Sequence, residues 1–221
     1  MGLTSPVKVS DRFQFERKLI AKGARRIAGV DEAGRGPLAG PVVVAAVCLP
    51  ISWVDQGLLD GLLGLNDSKK LSERRRNEYF EFLTHSFDLD ASVVAIEPEE
   101  IDAINILRAT HEGMCRALDG LAERPDHVLV DGLRVSRIEL PQTALVKGDS
   151  LSYSIAAASV LAKVTRDRRM MTYASEFPGY GFERHKGYPT PAHLQALSTL
   201  GPCAIHRKSF APVRAQQLDL L

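Results

Sequence analysis

The chain contains five short apolar runs that predict β-strands. They cover residues 26–30, 42–49, 88–96, 127–130 and 143–146. Buried strands read as short, nearly continuous apolar stretches rich in β-branched residues, and the valine-rich run at 42–49 fits a strand deep in a sheet. Glycine and proline separate the first two runs, which marks a turn between two strands.

Three other stretches repeat apolar residues every three or four positions, which predicts helices. The first is capped by Ser72 and runs to about His85, and the second runs from Glu99 to Pro125. The third, from Ser152 to about Tyr173, is rich in alanine, which allows close packing against a sheet. Strands and helices in this order predict an α/β domain with a mixed sheet flanked by helices.

Size and composition favour one main domain. The chain has 221 residues, of which 45% are hydrophobic and 25% charged, enough to bury a core without disulfides or metals. After about Phe177 the chain becomes rich in Pro, Gly, His and Tyr. We therefore expect an N-terminal extension (1–25), a main domain (26–177), a C-terminal part packed on it (178–216) and a short tail (217–221).

Cysteine usage and hydropathy exclude several classes of protein. The three cysteines are scattered, with no C-x-x-C spacing for zinc or redox chemistry, which favours a reducing cytoplasm. No apolar run approaches the roughly 18 residues of a membrane span, so we expect no membrane association. A net charge of +1 excludes a uniformly basic nucleic-acid coat, although lysines and arginines cluster locally.

Four acids share one context, at or just beyond a predicted strand end and near a glycine: Asp31, Glu32, Asp131 and Asp149. Taken singly, each is better explained as a turn residue or helix cap. If they converge, their charges repel unless hard cations lie between them, and oxygen ligands favour Mg²⁺ or Mn²⁺ over zinc. Two such ions would activate water and stabilise the leaving oxygen in phosphodiester hydrolysis.

Six long motifs stand in one order along nearly the whole chain: VDEAGRGPLAGP, LNDSKKLS, VLVDG, KGDSLSYSIAAASVLAKVTRD, YGFERHKGYPT and GPCAIHRKSF. In order and spacing the chain resembles bacterial ribonuclease HII, a type 2 ribonuclease H. The resemblance implies a ribonuclease-H-like fold with a five-stranded mixed sheet and a small helical C-terminal part. It also implies that Asp31, Glu32, Asp131 and Asp149 are the metal-binding catalytic acids.

The same resemblance implies a substrate and a reaction. The family hydrolyses the RNA strand of RNA/DNA hybrids. It also incises duplex DNA on the 5′ side of an embedded ribonucleotide, which leaves 3′-hydroxyl and 5′-phosphate ends. The metal and phosphodiester chemistry inferred from the acids agrees with this activity.

Two features are suited to recognition of a 2′-hydroxyl. Gly34-Arg35-Gly36 lets backbone groups approach a sugar without a Cβ in the way, and the resemblance implies that this loop senses the ribonucleotide. Tyr188 matches the family tyrosine that packs on the adjacent sugar. Without the resemblance, a Gly-x-Gly motif is more often a tight turn. A tyrosine between glycine and proline is more often a residue that anchors a loop to the core.

Five basic residues are predicted to contact phosphates: Lys69, Lys70, Lys163, Arg166 and Arg184. Such contacts would position a duplex without reading its sequence. Because most lysines and arginines face solvent, we expect about half of them to touch nucleic acid. His206 is assigned either to a position near the metal site or a phosphate, or to a structural role in the C-terminal part.

The last residues resemble the glutamine-leucine peptides with which bacterial repair enzymes bind the DNA sliding clamp. The matching positions are Gln217, Leu218, Leu220 and Leu221. Alternate leucines on a free tail would fit an apolar groove. A final helical turn packed on the domain is an equally good interpretation, since five-residue patterns recur by chance.

Three other identities fit less well. A noncatalytic hybrid-binding module would not need all four acids. A Rossmann enzyme would need the full G-x-G-x-x-G motif, and would leave Asp131 and Asp149 without roles. A ribonuclease HIII normally carries a longer N-terminal substrate-binding region, whereas only about 25 residues precede the first strand.

Overall fold

The computed structural model describes residues 11–218, and the side chains of residues 11–216. The strands are β1 (Ile27–Ala33), β2 (Val42–Cys48), β3 (Asp90–Ile96), β4 (His127–Asp131) and β5 (Gln142–Leu145). The helices are α1 (Gln14–Ile20), α2 (Ile51–Gln56), α3 (Glu73–His85), α4 (Pro98–Ile104), α5 (Ile106–Asp119), α6 (Tyr153–Glu176), α7 (Phe182–His185), α8 (Pro191–Leu200) and α9 (Ala211–Leu218). Two 3₁₀ turns cover Asp60–Leu62 and Gly148–Ser150.

The five strands form one mixed sheet in the order β3-β2-β1-β4-β5. β1 and β3 each pair with β2 in the antiparallel sense, whereas β4 pairs with β1 and β5 in the parallel sense. The predicted five-stranded mixed sheet is therefore confirmed. The parallel pair places the carboxyl ends of β1 and β4 at the same edge of the sheet.

Helices cover both faces of the sheet, which explains why β2 is apolar at every position. Val43, Ala45 and Val47 pack toward α6, and Val44 and Ala46 pack toward α5. Alternate residues of a strand point to opposite faces, so burial on both sides removes the usual polar alternation.

The contact between β1 and α6 is unusually close. A Cβ added at Gly29 would lie 2.2 Å from the carbonyl carbon of Ser154 and 2.4 Å from the backbone nitrogen of Ile155. Glycine at this position lets the start of α6 rest directly on the strand that carries Asp31 and Glu32.

The prediction of one helix from Glu99 to Pro125 is wrong. The chain forms α4 and α5 instead, and Asn105 between them has a φ of 68°. The Asn105 side chain accepts hydrogen bonds from the backbone N–H groups of Leu107 and Arg108, so it caps the second helix. The apolar spacing continues across this break, and hydrophobic periodicity therefore does not reveal it.

Two further differences concern the N-terminal half. β1 extends to Ala33, so Asp31 and Glu32 lie within the strand rather than beyond its end. The region expected to be an N-terminal extension contains a helix, α1, and α2 follows β2. The other predicted elements agree to within a few residues, including α3, whose N-cap Ser72 accepts from the N–H of Arg75.

The C-terminal part is helical, as predicted, and it attaches to the turn that follows β1. The N–H of Leu38 donates to Gly187, that of Gly40 donates to Ile205, and that of Arg207 donates to Leu38. Tyr180 and Phe182 form an aromatic cluster with His206. The domain boundary near residue 177 stays a prediction.

Replacing Gly29 by alanine is expected to destabilise the protein. The added methyl group would meet backbone atoms, and overpacking of this kind costs about 2 kcal/mol of the free energy of unfolding. For a chain of this size the melting temperature should fall by roughly 4–8 °C. Differential scanning calorimetry would measure the change.

Gly23→Ala provides the comparison, because nothing lies within 4 Å of its added Cβ and only the backbone strain of a φ of +99° applies. A Gly29→Ala variant that melts at the wild-type temperature would show that α6 is not held against β1 as described.

Candidate active site

Three of the predicted acids converge at the edge of the sheet. Asp31, Asp131 and Asp149 each place one carboxylate oxygen within 4.8 Å of the others. Asp31 lies on β1, Asp131 ends the adjacent parallel strand β4, and Asp149 lies in the 3₁₀ turn after β5. The Asp131 carboxylate accepts a hydrogen bond of 2.6 Å from the N–H of Gly148, which ties the two segments together.

The electrostatics of this cluster favour a bound cation. Burial, followed by the charges of Glu32 and Asp131, raises the pKa of Asp31 well above its usual value. Burial, followed by Asp67 and Asp131, raises the pKa of Asp149 to about 6. The raised pKa values show that negative charge is poorly compensated here, and a divalent cation with oxygen ligands would relieve the repulsion.

Glu32 occupies a different position from its neighbour Asp31. Consecutive residues of a strand point to opposite faces, and the Oε1 atom of Glu32 lies 3.4 Å from the guanidinium of Arg35. Burial is the main cause that raises its pKa, and the charge of Asp131 adds to it while Arg35 opposes it. The compact cluster therefore contains three of the four predicted acids, with Glu32 at its margin.

A cleft of about 620 Å³ opens beside the acids. Its wall includes Glu32, the three residues Gly34, Arg35 and Gly36, and the side chains of Ser159, Lys69, Lys163 and Tyr188. The Tyr188 ring lies next to Gly36, where an added Cβ would be 3.7 Å from Cε1. The two features predicted to recognise the sugar thus share one wall of one cleft.

Among the predicted phosphate contacts, Lys69 is the one whose pKa is raised by the acids of the site. Burial lowers its pKa, but Asp31, Asp67 and Asp149 together outweigh that effect and raise it. Lys70 is exposed and donates to the Ser150 hydroxyl at 2.9 Å. Lys163 lines the cleft and donates to Asp167 at 2.7 Å.

The other two predicted phosphate contacts have different surroundings. Arg166 borders the cleft but is 1% exposed, and its guanidinium donates to the carbonyls of Pro41 and Ala39 at 3.0 and 3.1 Å. This burial argues against a direct phosphate contact by Arg166 and gives it a structural role. Arg184 is exposed beside Glu183 on α7 and does not line the cleft.

Arg12 is a residue at the site that sequence reasoning missed. Its buried guanidinium donates to the backbone carbonyls of Asp149, Ser150 and Leu65. It therefore joins the N-terminal segment to the turn that carries Asp149. An arginine in a polar N-terminal segment carries no motif, so no sequence pattern indicates this contact.

Of the two roles that the sequence allows for His206, the structure supports the structural one in the C-terminal part. It is buried, its Nδ1 accepts from the N–H of Cys203 at 3.0 Å, and its Nε2 lies 3.1 Å from Nε2 of His193. The other ring nitrogen of His193 lies 2.9 Å from the carbonyl oxygen of Tyr188. A chain of two histidines thus supports the backbone of the tyrosine that lines the cleft.

Comparison with known proteins identifies the family. A family model described as Ribonuclease HII matches residues 28–213. The chain belongs to the ribonuclease HII family. It is 52% identical to the ribonuclease HII of Moorella thermoacetica over 203 residues, which are 92% of this chain and 95% of that protein.

Solved structures of archaeal relatives share the fold. The ribonuclease H2 of Pyrococcus horikoshii is 28% identical, with a TM-score of 0.72 over 88% of this chain and 98% of that chain. The ribonuclease HII of Archaeoglobus fulgidus, solved in complex with PCNA, is 30% identical, with a TM-score of 0.63 over 82% of this chain and 93% of that chain. The fold is the ribonuclease-H-like fold.

Membership of ribonuclease HII establishes the general activity. The protein is a type 2 ribonuclease H, an endoribonuclease of a family that depends on divalent metal ions and acts on RNA/DNA hybrids. The converging carboxylates fit that metal dependence. Within residues 11–218, no helix combines the length and apolar character needed to cross a membrane.

Asp149→Asn should stabilise the metal-free protein, and the gain should grow with pH. The folded wild type holds a proton on Asp149 up to about pH 6, whereas the group in the unfolded chain ionises near 3.8. Wild-type stability is therefore lost as pH rises through this window, and the uncharged variant escapes that loss. We expect the variant to melt roughly 2–4 °C higher at pH 7.5, with little difference at pH 4.

Thermal melting with and without Mg²⁺ checks this prediction, since Mg²⁺ should raise the melting temperature of the wild type more than that of the variant. Asp55→Asn, at an exposed position on α2, is the matched control. If Mg²⁺ raised the melting temperatures of the wild type and of Asp149→Asn equally, Asp149 would be excluded as a metal ligand.

Proposed function

We propose that Asp31, Glu32, Asp131 and Asp149 form the catalytic metal-binding set of this ribonuclease HII. The enzyme would hydrolyse the RNA strand of hybrids and incise duplex DNA 5′ of an embedded ribonucleotide, leaving 3′-hydroxyl and 5′-phosphate ends. The observation that supports the set most directly is the approach of three carboxylates to within 4.8 Å beside a cleft lined by Gly34, Gly36 and Tyr188.

The resident cations would be Mg²⁺ or Mn²⁺, two of them when substrate is bound, because all the ligands are carboxylate oxygens. Asp31, Asp131 and Asp149 would hold them, with Glu32 completing the set from the margin of the cluster. Bound there, the ions supply an activated water and stabilise charge on the leaving oxygen.

The chain's own groups would bind and orient the substrate. The exposed backbone of Arg35 and Gly36 can approach the sugar closely, and the ring of Tyr188, 40% exposed, offers a flat surface beside it. Lys69 carries its positive charge to the edge of the acidic cluster, where a phosphate would lie. Lys70 and Lys163 would add further phosphate contacts, which position a duplex without reading its sequence.

Asp31→Asn should abolish turnover with little loss of fold. The substrate is duplex DNA that contains one ribonucleotide, incubated with Mg²⁺, Mn²⁺ or a chelator, and the products are mapped at single-nucleotide resolution. We expect metal-dependent cutting on the 5′ side of the ribonucleotide by the wild type. The variant should be slower on the order of 100-fold or more, because a charge that stabilises the reaction centre is lost.

Asp55→Asn is again the control and should cut at the wild-type rate. Wild-type protein that leaves the ribonucleotide intact with both metals would refute the proposed incision activity. Undiminished cutting by Asp31→Asn would remove that residue from the mechanism.

We propose also that the chain ends in a sliding-clamp-binding segment formed by Gln217, Leu218, Leu220 and Leu221. This segment lies outside the residues whose side chains the structure describes. The A. fulgidus relative forms a complex with PCNA, which supports an association of this kind. Such a segment would bring the enzyme to newly replicated DNA, and we accordingly place the enzyme in the cytoplasm.

Deletion of residues 217–221 should abolish binding to a bacterial sliding clamp, measured by surface plasmon resonance, and leave cleavage of free duplex unchanged. Asp219→Asn retains the leucines and glutamine and should bind as the wild type does. Clamp binding that survives the deletion would refute the assignment of the tail.

A further inference from the structure

The guanidinium of Arg207 is buried beneath the Gly34-Arg35-Gly36 loop. The residue is 0% exposed, and the guanidinium donates to the backbone carbonyls of Gly34 at 2.6 Å, Arg35 at 2.9 Å and Gly40 at 2.9 Å. In the described part of the chain it forms no ion pair. A buried charge without a counter-ion is strongly destabilising unless dipoles replace its water, and here backbone carbonyls supply them.

These hydrogen bonds fix the direction of two peptide groups. In a trans peptide the C=O and N–H point in opposite directions. With the carbonyls of Gly34 and Arg35 turned inward, the N–H groups of Arg35 and Gly36 must turn outward. Neither N–H donates to any atom of residues 11–216, and both residues are exposed in the wall of the cleft.

The rest of the attachment does not depend on the Arg207 side chain. Backbone hydrogen bonds join Arg207 to Leu38 and Gly40 to Ile205, and Ala39 forms a β-bridge with His206. The side chain therefore adds contacts that reach past this junction to the loop itself. A residue that only anchored the C-terminal part would not need to place two of its three side-chain hydrogen bonds on the Gly34-Arg35-Gly36 loop.

A second buried guanidinium supports the same turn. Arg166 holds Ala39 and Pro41, and it packs so closely that a Cβ at Gly34 would lie 2.0 Å from its Nε. Gly34 also has a φ of +97°, which favours glycine. The loop is thus held in one conformation both by packing against Arg166 and by the Arg207 hydrogen bonds.

We propose that Arg207 is a positioning residue for ribonucleotide recognition, which directs the backbone N–H groups of Arg35 and Gly36 toward the substrate's ribose or the phosphate beside it. The inference rests on the proposed function of the cleft. Arg207 itself does not touch the substrate, since the loop lies between them.

The planar fork of arginine is essential to this role. Burial, together with the nearby charge of Arg166, lowers the pKa of Arg207 to about 9, so the group stays charged at neutral pH. Lysine carries a single compact ammonium on a flexible stem and cannot hold the three carbonyls in the same fixed geometry. Arg207→Lys is therefore expected to keep the packing of the stem and release the loop.

The experiment measures selectivity of binding rather than activity alone. The affinity of wild type and Arg207→Lys is determined in a chelator, for a duplex with one ribonucleotide and for the same duplex in all-DNA form. We expect the ribonucleotide preference of the wild type to fall by about tenfold in the variant, the effect of misplaced hydrogen-bond donors. Affinity for the all-DNA duplex should change little.

Leu118→Ala, a cavity variant at the far end of α5, is the control for lost stability and should keep the wild-type preference even when it melts lower. Unchanged preference in Arg207→Lys would overturn the inference. A wild type that does not prefer the ribonucleotide duplex would overturn the proposed function instead.

A second measurement needs no variant of Arg207. In amide hydrogen exchange of the wild type in chelator, the Arg35 and Gly36 amides should exchange fast in the free protein. They should become protected on the ribonucleotide duplex more than on the all-DNA duplex. Equal protection by the two duplexes, or slow exchange in the free protein, would overturn the inference even if Arg207→Lys does not fold.

Discussion

Mutual repulsion of buried carboxylates is the constraint on which this structure depends. Asp31 and Asp149 are buried and Asp131 is half-buried where they meet at the edge of the sheet, and burial raises the pKa of Asp31 and of Asp149. Such an arrangement weakens the fold by itself, so the surrounding structure must hold the three segments together until a cation offsets the charge. The helices on both faces of the sheet and the close contact at Gly29 supply that rigidity.

The loops around the site are held by buried arginines that bind backbone carbonyls. Arg12 reaches the turn of Asp149, Arg166 reaches Ala39 and Pro41, and Arg207 reaches Gly34 and Arg35. A carbonyl partner satisfies a guanidinium without consuming a carboxylate. The acids therefore stay available for metal, while the positive charge beneath the cleft favours a polyanionic substrate.

In the proposed function the cleft would combine chemistry and recognition, because the residues assigned to both lie in the same short stretch of chain. β1 delivers Asp31 and Glu32, and the turn directly after it presents Arg35 and Gly36. The C-terminal part brings Tyr188 next to Gly36 and attaches to the turn through backbone hydrogen bonds. The proposed substrate contacts and the acids are thus fixed relative to each other by one strand and its attachment.

The sequence by itself determined the strands, the mixed α/β architecture, the family and the acids whose oxygens converge. These follow from local patterns, namely apolar runs, glycine-rich turns and motifs in a fixed order. Tertiary structure decided the break at Asn105, the burial of Arg166, the placement of Glu32 at the cluster margin and the contacts of Arg12 and Arg207. The three arginines bind backbone groups that are distant in sequence, and no local pattern distinguishes an arginine that binds phosphate from one that binds carbonyls. The break at Asn105 lies within continuous apolar spacing, so hydrophobic periodicity does not reveal it.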